Sequence, residues 1–199
     1  DDTVLIFCSD HGLYSGQQGL GGKAFCYEQT THVPMIVYDP MAPDSTQGRR
    51  SDQLVQSIDI AATMLDYAGI ERPETFQGKS LRGLVTGSDE PVRDYVFTEN
   101  LWSTHFGNPR IEAVQDKRWK YIRYYAEASI AGEPPVYEEL YDIVSDPGEL
   151  HNLIDDTTHA ETLKRLKLAW KTMLTKARGT GSPKVLRYTV DSEKDYRSK

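Results

Sequence analysis

Apolar positions along this chain fall into segments of different texture. Thr3 to Cys8 is an uninterrupted run of β-formers, which reads as a strand buried on both faces, as in a parallel sheet. It ends at Ser9-Asp10-His11-Gly12, followed by a stretch holding five glycines from Gly12 to Gly22. Ala24 to Thr31 predicts a short helix. Val33 to Tyr38 predicts a second strand, with Pro34 near its start where a missing donor is tolerated. Met41 to Asp52 is a turn-rich loop. Ile60, Ala61, Met64, Leu65 and Ala68 then recur at helical intervals, and Gly69 is a plausible stop. Ser80 to Val85 predicts another short helix.

From about Pro91 the pattern changes. Val92 to Thr98 reads as a strand. Arg110 to Val114 and Trp119 to Tyr125 flank Gln115-Asp116-Lys117-Arg118, the signature of an antiparallel hairpin. Glu139 to Asp142 is a short strand closed by Asp146-Pro147-Gly148. Leu163, Leu166, Trp170, Met173 and Ala177 mark the buried stripe of an amphipathic helix. Trp119, Tyr121, Tyr124, Tyr125 and Tyr141 are expected to pack on the sheet, because aromatics are enriched in strands. The expected fold is α/β: the end of a mixed or parallel sheet layer over 1–90, a small antiparallel sheet with a closing helix over 91–178, and a polar tail over 179–199.

Composition narrows the function classes. The 199 residues carry 38% hydrophobic and 27% charged side chains, which suits a folded globular protein. No apolar run approaches the ~20 residues that a membrane helix needs. A net charge of -7 argues against a nucleic-acid partner, and means that an anionic substrate must be held by local cations. Two cysteines, Cys8 and Cys26, are too few for a disulfide framework; they read as buried thiols and leave the redox compartment open. The chain opens directly on a strand of buried type, without a starting Met or a signal segment, so an upstream part is expected.

The candidate chemistry lies in the first forty residues. A carboxylate at a strand end, Asp10, suits a hard divalent cation, and the adjacent imidazole of His11 is a common ligand that favours Zn or Mn. Taken alone, the same pair would serve as a loop-capping Asp and a satisfied His. Lys23 ends the glycine-rich stretch, where backbone can approach a ligand closely and an ammonium can hold an oxyanion. The stretch is not a P-loop: the spacing is wrong, and Ala24 stands where Ser or Thr would bind Mg.

Val4 to Gly12, Gly19-Leu20-Gly21-Gly22-Lys23, Tyr27-Glu28 and Val33-Pro34-Met35-Ile36 occur in the order and spacing of the second signature region of type I sulfatases, of the alkaline phosphatase superfamily. The resemblance continues through Ser57 to Gly69, Gly78-Lys79-Ser80-Leu81, Trp119 to Ile122, Glu139 to Asp142, and Asp146-Pro147, Glu149 and Asn152-Leu153. It covers roughly residues 1–155 and implies an alkaline-phosphatase-like core. It also implies that Asp10 and His11 ligate a divalent metal, Ca2+ by family habit with Mn2+ or Zn2+ open because His replaces Asn. Lys23 matches the lysine that binds a sulfate oxygen.

The family nucleophile, a formylglycine made within C/S-x-P-x-R, has no counterpart in this sequence. It is expected in an upstream part, with the remaining metal carboxylates and the leaving-group histidine, and the 199 residues alone are expected to be inactive. Gln18 replaces a His of the family pattern and is a substrate-side candidate. His32 is either substrate-side or a helix-end cap. Asn100, Trp102, His105 and Arg110 would border a pocket for a sulfated small molecule or carbohydrate. Two other readings stay open: a phosphonate monoester hydrolase or phosphodiesterase of the same superfamily, and a non-catalytic small chain of a processed enzyme. Secreted, periplasmic or lysosomal residence is implied by the resemblance.

Overall fold

The computed structural model describes residues 2–100, 110–125 and 134–178. Strand β1 (Leu5–Cys8) is followed by a two-residue ladder, β2 (Tyr14–Ser15) with β3 (Gly21–Gly22), and by helix α1 (Glu28–Thr31). Strand β4 (Met35–Tyr38) then pairs antiparallel with β1, Leu5 opposite Tyr38 and Phe7 opposite Ile36. Helices α2 (Ile58–Tyr67) and α3 (Arg82–Val85) lead to a four-stranded antiparallel sheet, β5 (Val96–Asn100), β6 (Arg110–Gln115), β7 (Trp119–Tyr125) and β8 (Tyr137–Asp142), in that spatial order. Helix α4 (Ala160–Arg178) closes the described chain. No helix among the described residues is long and apolar enough to cross a membrane.

The β5–β8 sheet buries both faces, and period-two alternation decides what each face meets. Ile111, Ala113, Ile122, Tyr124 and Tyr141 point toward Tyr14, Cys26 and Tyr27 of the glycine-rich segment. Val114, Tyr121 and Leu140 point the other way, against Leu166, Ala169 and Trp170 of α4. Polar groups on the α4 side are paired as well. The Trp170 indole donates to Glu112 Oε2 at 2.7 Å, and the Arg123 guanidinium stacks 3.6 Å over the same indole ring. The expected hairpin, its aromatic packing and the amphipathic helix are all present.

The first strand departs from expectation. Leu5, Phe7, Ile36 and Tyr38 share one face of the β1–β4 pair, and all four are exposed. The α/β class stands, but Thr3 to Cys8 is not buried on both faces here, and β4, its one paired neighbour among the described residues, runs antiparallel to it where a parallel sheet was expected. Of the two free thiols, Cys26 is buried, and desolvation pushes it up to about 12; Cys8 is half-buried.

Asp59 joins the two regions. It is fully buried at the start of α2, where its carboxylate accepts from the Gln56 and Lys79 backbone amides, both at 2.8 Å. Arg93, just before β5, closes on the same carboxylate with two guanidinium nitrogens at 2.6 and 2.5 Å. A bidentate pair that also satisfies the remaining lone pairs is the arrangement in which a buried charge is tolerated.

Candidate active site

The site starts at the carboxyl end of β1. Asp10 Oδ1 accepts from the His11 amide at 3.0 Å, and this bond is the main reason the Asp10 carboxyl sits below its ordinary value. The exposed carboxylate projects away from the strand end. His11 Nδ1 lies 2.9 Å from the Gly12 carbonyl, which can only accept, so Nδ1 carries the proton of that bond. Nε2 is then the nitrogen that keeps its lone pair. A backbone carbonyl that fixes one ring nitrogen and leaves the other able to ligate is the arrangement found at metal-binding histidines.

Lys23 comes back to this point because of the hairpin. β2 and β3 fold the glycine-rich segment onto itself, and Gly22 takes a left-handed φ of 81° immediately before Lys23. The Lys23 ammonium then lies 2.5 Å from His11 Nε2, while Asp10 Oδ2 lies 3.1 Å from the same nitrogen. Two acceptors, the Asp10 oxygen and the His11 nitrogen, therefore converge on one point, with the ammonium beside them. The Lys23 ammonium is the cation on the His11 nitrogen here, and an Asp oxygen beside a His nitrogen is a donor set that could hold a divalent ion. Among the described residues no third His, Cys, Asp or Glu joins them.

Helix α1 packs directly behind His11. A side chain at Gly12 would meet the Gln29 carbonyl at 1.9 Å, so only glycine lets α1 approach the strand end. The Gly12 amide donates to Thr30 O at 3.0 Å across this contact.

The other candidates sit around this cluster in different ways. The Gln18 amide nitrogen donates to the Gly148 and Glu149 carbonyls at 2.8 and 3.0 Å. His32 caps the end of α1 and pairs with Glu28 Oε2 at 2.9 Å, with its side chain largely in solvent. Asn100 donates to the Ala24 carbonyl at 2.9 Å, so the end of β5 touches the residue after Lys23. Arg110 opens β6 and is buried. Trp102 and His105 lie outside the described residues.

Sequence reasoning assigned no role to the buried charges beneath the glycine-rich segment. Lys120 is almost completely buried, with its ammonium 2.6 Å from Glu28 Oε1 and 2.9 Å from Glu149 Oε1. Nearby, Glu139 accepts from the Tyr27 and Tyr124 hydroxyls at 3.0 and 2.7 Å. Burial raises the Glu139 carboxyl despite these bonds. Burial would raise Glu28 as well, but the Lys120 ammonium pulls it below its ordinary value. Lys120 lies in a strand of otherwise ordinary pattern, and only the packing of α1 against the sheet reveals its partner.

A family model for N-sulphoglucosamine sulphohydrolase, C-terminal, matches residues 16–176. An arylsulfatase of Clostridium perfringens is 30% identical over 168 residues, covering 84% of this chain and 32% of that protein. An N-acetylglucosamine-6-O-sulfatase of Bacteroides thetaiotaomicron is 27% identical over 176 residues, covering 83% of this chain and 29% of that protein. The solved structure of a 2-O GAG sulfatase superposes with a TM-score of 0.72 at 26% identity, covering 98% of this chain and 38% of that one. The chain thus spans about a third of the length of the relatives it matches.

Proposed function

This chain belongs to the N-sulphoglucosamine sulphohydrolase C-terminal family, and from that premise we propose that it supplies metal and sulfate ligands to an enzyme hydrolysing sulfate esters of a carbohydrate. The observation that carries the reading is the convergence of Lys23 Nζ, His11 Nε2 and Asp10 Oδ2 at the end of β1. Asp10 and His11 would hold a divalent cation, Ca2+ by family habit, which when bound offsets negative charge on the sulfate oxygens. The Lys23 ammonium donates to a sulfate oxygen and stabilises the charge that grows as the ester bond breaks. Gly12 brings α1 against the strand end and so keeps His11 fixed. Asn100 holds the Ala24 carbonyl and so steadies the backbone next to Lys23. The relatives' names, a 6-O-sulfatase of N-acetylglucosamine among them, support a sulfated sugar as substrate.

The nucleophile lies elsewhere, since no C/S-x-P-x-R occurs in this sequence. The 199 residues by themselves should give no turnover. In the full-length protein, Lys23→Ala should lower kcat/KM for a sulfated N-acetylglucosamine about 10²–10³-fold. Chelation of divalent ions should also remove activity. Turnover that favours a phosphonate monoester over every sulfate ester, or a Lys23→Ala variant as active as the parent, would overturn the reading.

A further inference from the structure

We propose that Gln18 and Glu149 form a clamp that positions Lys23. This inference rests on the sulfatase reading for its kinetic consequence, but not for its structural one. Among the described residues, only two that are not glycine take a positive φ: Gln18 at 55° and Glu149 at 52°. Such residues are uncommon and persist where the surroundings over-determine them. Here the two strained positions touch each other. The Gln18 amide nitrogen donates to the Glu149 carbonyl at 3.0 Å and to the Gly148 carbonyl at 2.8 Å.

Glu149 also grips the far end of the same segment. Its Oε2 accepts from the Glu28 amide at 2.6 Å, and its Oε1 faces the Lys120 ammonium at 2.9 Å. Lys120 in turn holds the Glu28 carboxylate at 2.6 Å. One residue thus fixes both ends of the segment 18–28, through its main chain at Gln18 and its side chain at Glu28. Lys23 lies between those two points. The Asn100 contact to Ala24 O adds a third hold beside it.

Glu149 is itself held rigidly. The turn before it is closed by the Glu149 amide on the Asp146 carbonyl at 3.0 Å, and Asp146 Oδ2 accepts from the Leu150 and His151 amides at 2.8 Å each. The Asp146-Pro147-Gly148-Glu149 turn lies more than a hundred residues from Lys23 in sequence, yet it sets where the ammonium stands. Gln18 and Glu149 are positioning residues: neither touches the converging point of Asp10, His11 and Lys23.

The test uses the full-length protein with Gln18→Ala, Gln18→Gly, Lys23→Ala and the Gln18→Ala/Lys23→Ala double variant. The glycine variant accepts a positive φ without strain and guards against a fold defect. Loss of the clamp should lower kcat about 100-fold on a sulfate ester, as a misplacement of about 1 Å does. It should cost nothing further once Lys23 is gone, because Gln18 acts only through Lys23. Losses that multiply in the double variant, or no loss in either Gln18 variant, would overturn the clamp. Amide hydrogen exchange of residues 19–27 supplies a readout that needs no substrate. It should quicken in both Gln18 variants, and unchanged exchange overturns the clamp even if the parent enzyme hydrolyses no sulfate ester. Absence of sulfate-ester turnover in the parent, with quickened exchange in the variants, would overturn the sulfatase reading and leave the clamp standing.

Discussion

Two carboxylates on either side of the glycine-rich segment sit in opposite surroundings. Asp10, at the end of β1, is 82% exposed, and the His11 amide holds it below its ordinary value. Glu139, in β8, is 5% exposed, and burial raises it although tyrosine hydroxyls surround it. The first keeps lone pairs turned outward, available to a cation. The second has its oxygens committed inside the protein. Groups that must exchange partners are carried on a thin, open strand end, while groups that never exchange lie under the same segment and hold it to the sheet. Binding chemistry and positional accuracy are thereby divided between two regions, with the segment 18–28 between them.

Breaking the buried side should show how far the open side depends on it. Lys120→Met leaves the Glu28 and Glu149 carboxylates without the buried ammonium they share. Removing one partner from a buried ion cluster costs about 3–5 kcal/mol, so urea unfolding of the intact protein should show the unfolding free energy fall by that amount. A shift below about 1 kcal/mol would mean that water reaches the cluster and that the two regions are less distinct than they look. Tyr124→Phe is a milder probe. It removes a hydroxyl that bonds both Glu139 at 2.7 Å and Tyr27 at 2.9 Å. Losing one donor to a buried carboxylate should cost about 1–3 kcal/mol. The same variant should leave divalent-metal affinity at Asp10 and His11 unchanged, as isothermal titration would report.

The open side was the more legible of the two in the sequence. Asp10, His11 and Lys23 belong to a local pattern, a strand end followed by glycines, and their convergence follows from one short hairpin. The antiparallel sheet was legible too, because Arg110 to Val114 and Trp119 to Tyr125 are two runs of strand type flanking a polar turn. Glu28, Lys120 and Glu149 were not. Each reads as an ordinary surface charge in its own segment, and only tertiary packing brings Lys120 of β7 to Glu28 of α1 and to Glu149. Gln18 read as a substrate-side residue because it replaces a family histidine, yet its amide nitrogen turns toward the Gly148 turn. Residue type alone could not reveal that direction, since it depends on a left-handed backbone at Gln18 itself. The exposed face of Leu5, Phe7, Ile36 and Tyr38 has the composition of a covered strand, and composition does not say which element covers it.

The finest probe of the comparison is a slope. Because the folded protein raises Glu139 above its ordinary 4.5, it binds more protons than the unfolded chain just above that pH. The stability linked to this group is complete below 4.5 and is lost as pH rises through the raised value. Glu149 acts in the same direction, since desolvation outweighs the pull of Lys120. Asp142 acts in the opposite sense: Arg118 holds it down to about 2, so its contribution is present above 3.8 and is lost only in stronger acid. The two effects occupy separate pH windows and can be read independently. Glu139→Gln keeps an oxygen to accept the tyrosine hydroxyls but has no proton to bind. Urea midpoints measured from pH 4 to 8 should therefore fall less steeply for the variant than for the parent, with the curves converging toward the acid end. A constant difference across that range would mean that Glu139 is solvated like Asp10, and the contrast between the two carboxylates would be lost.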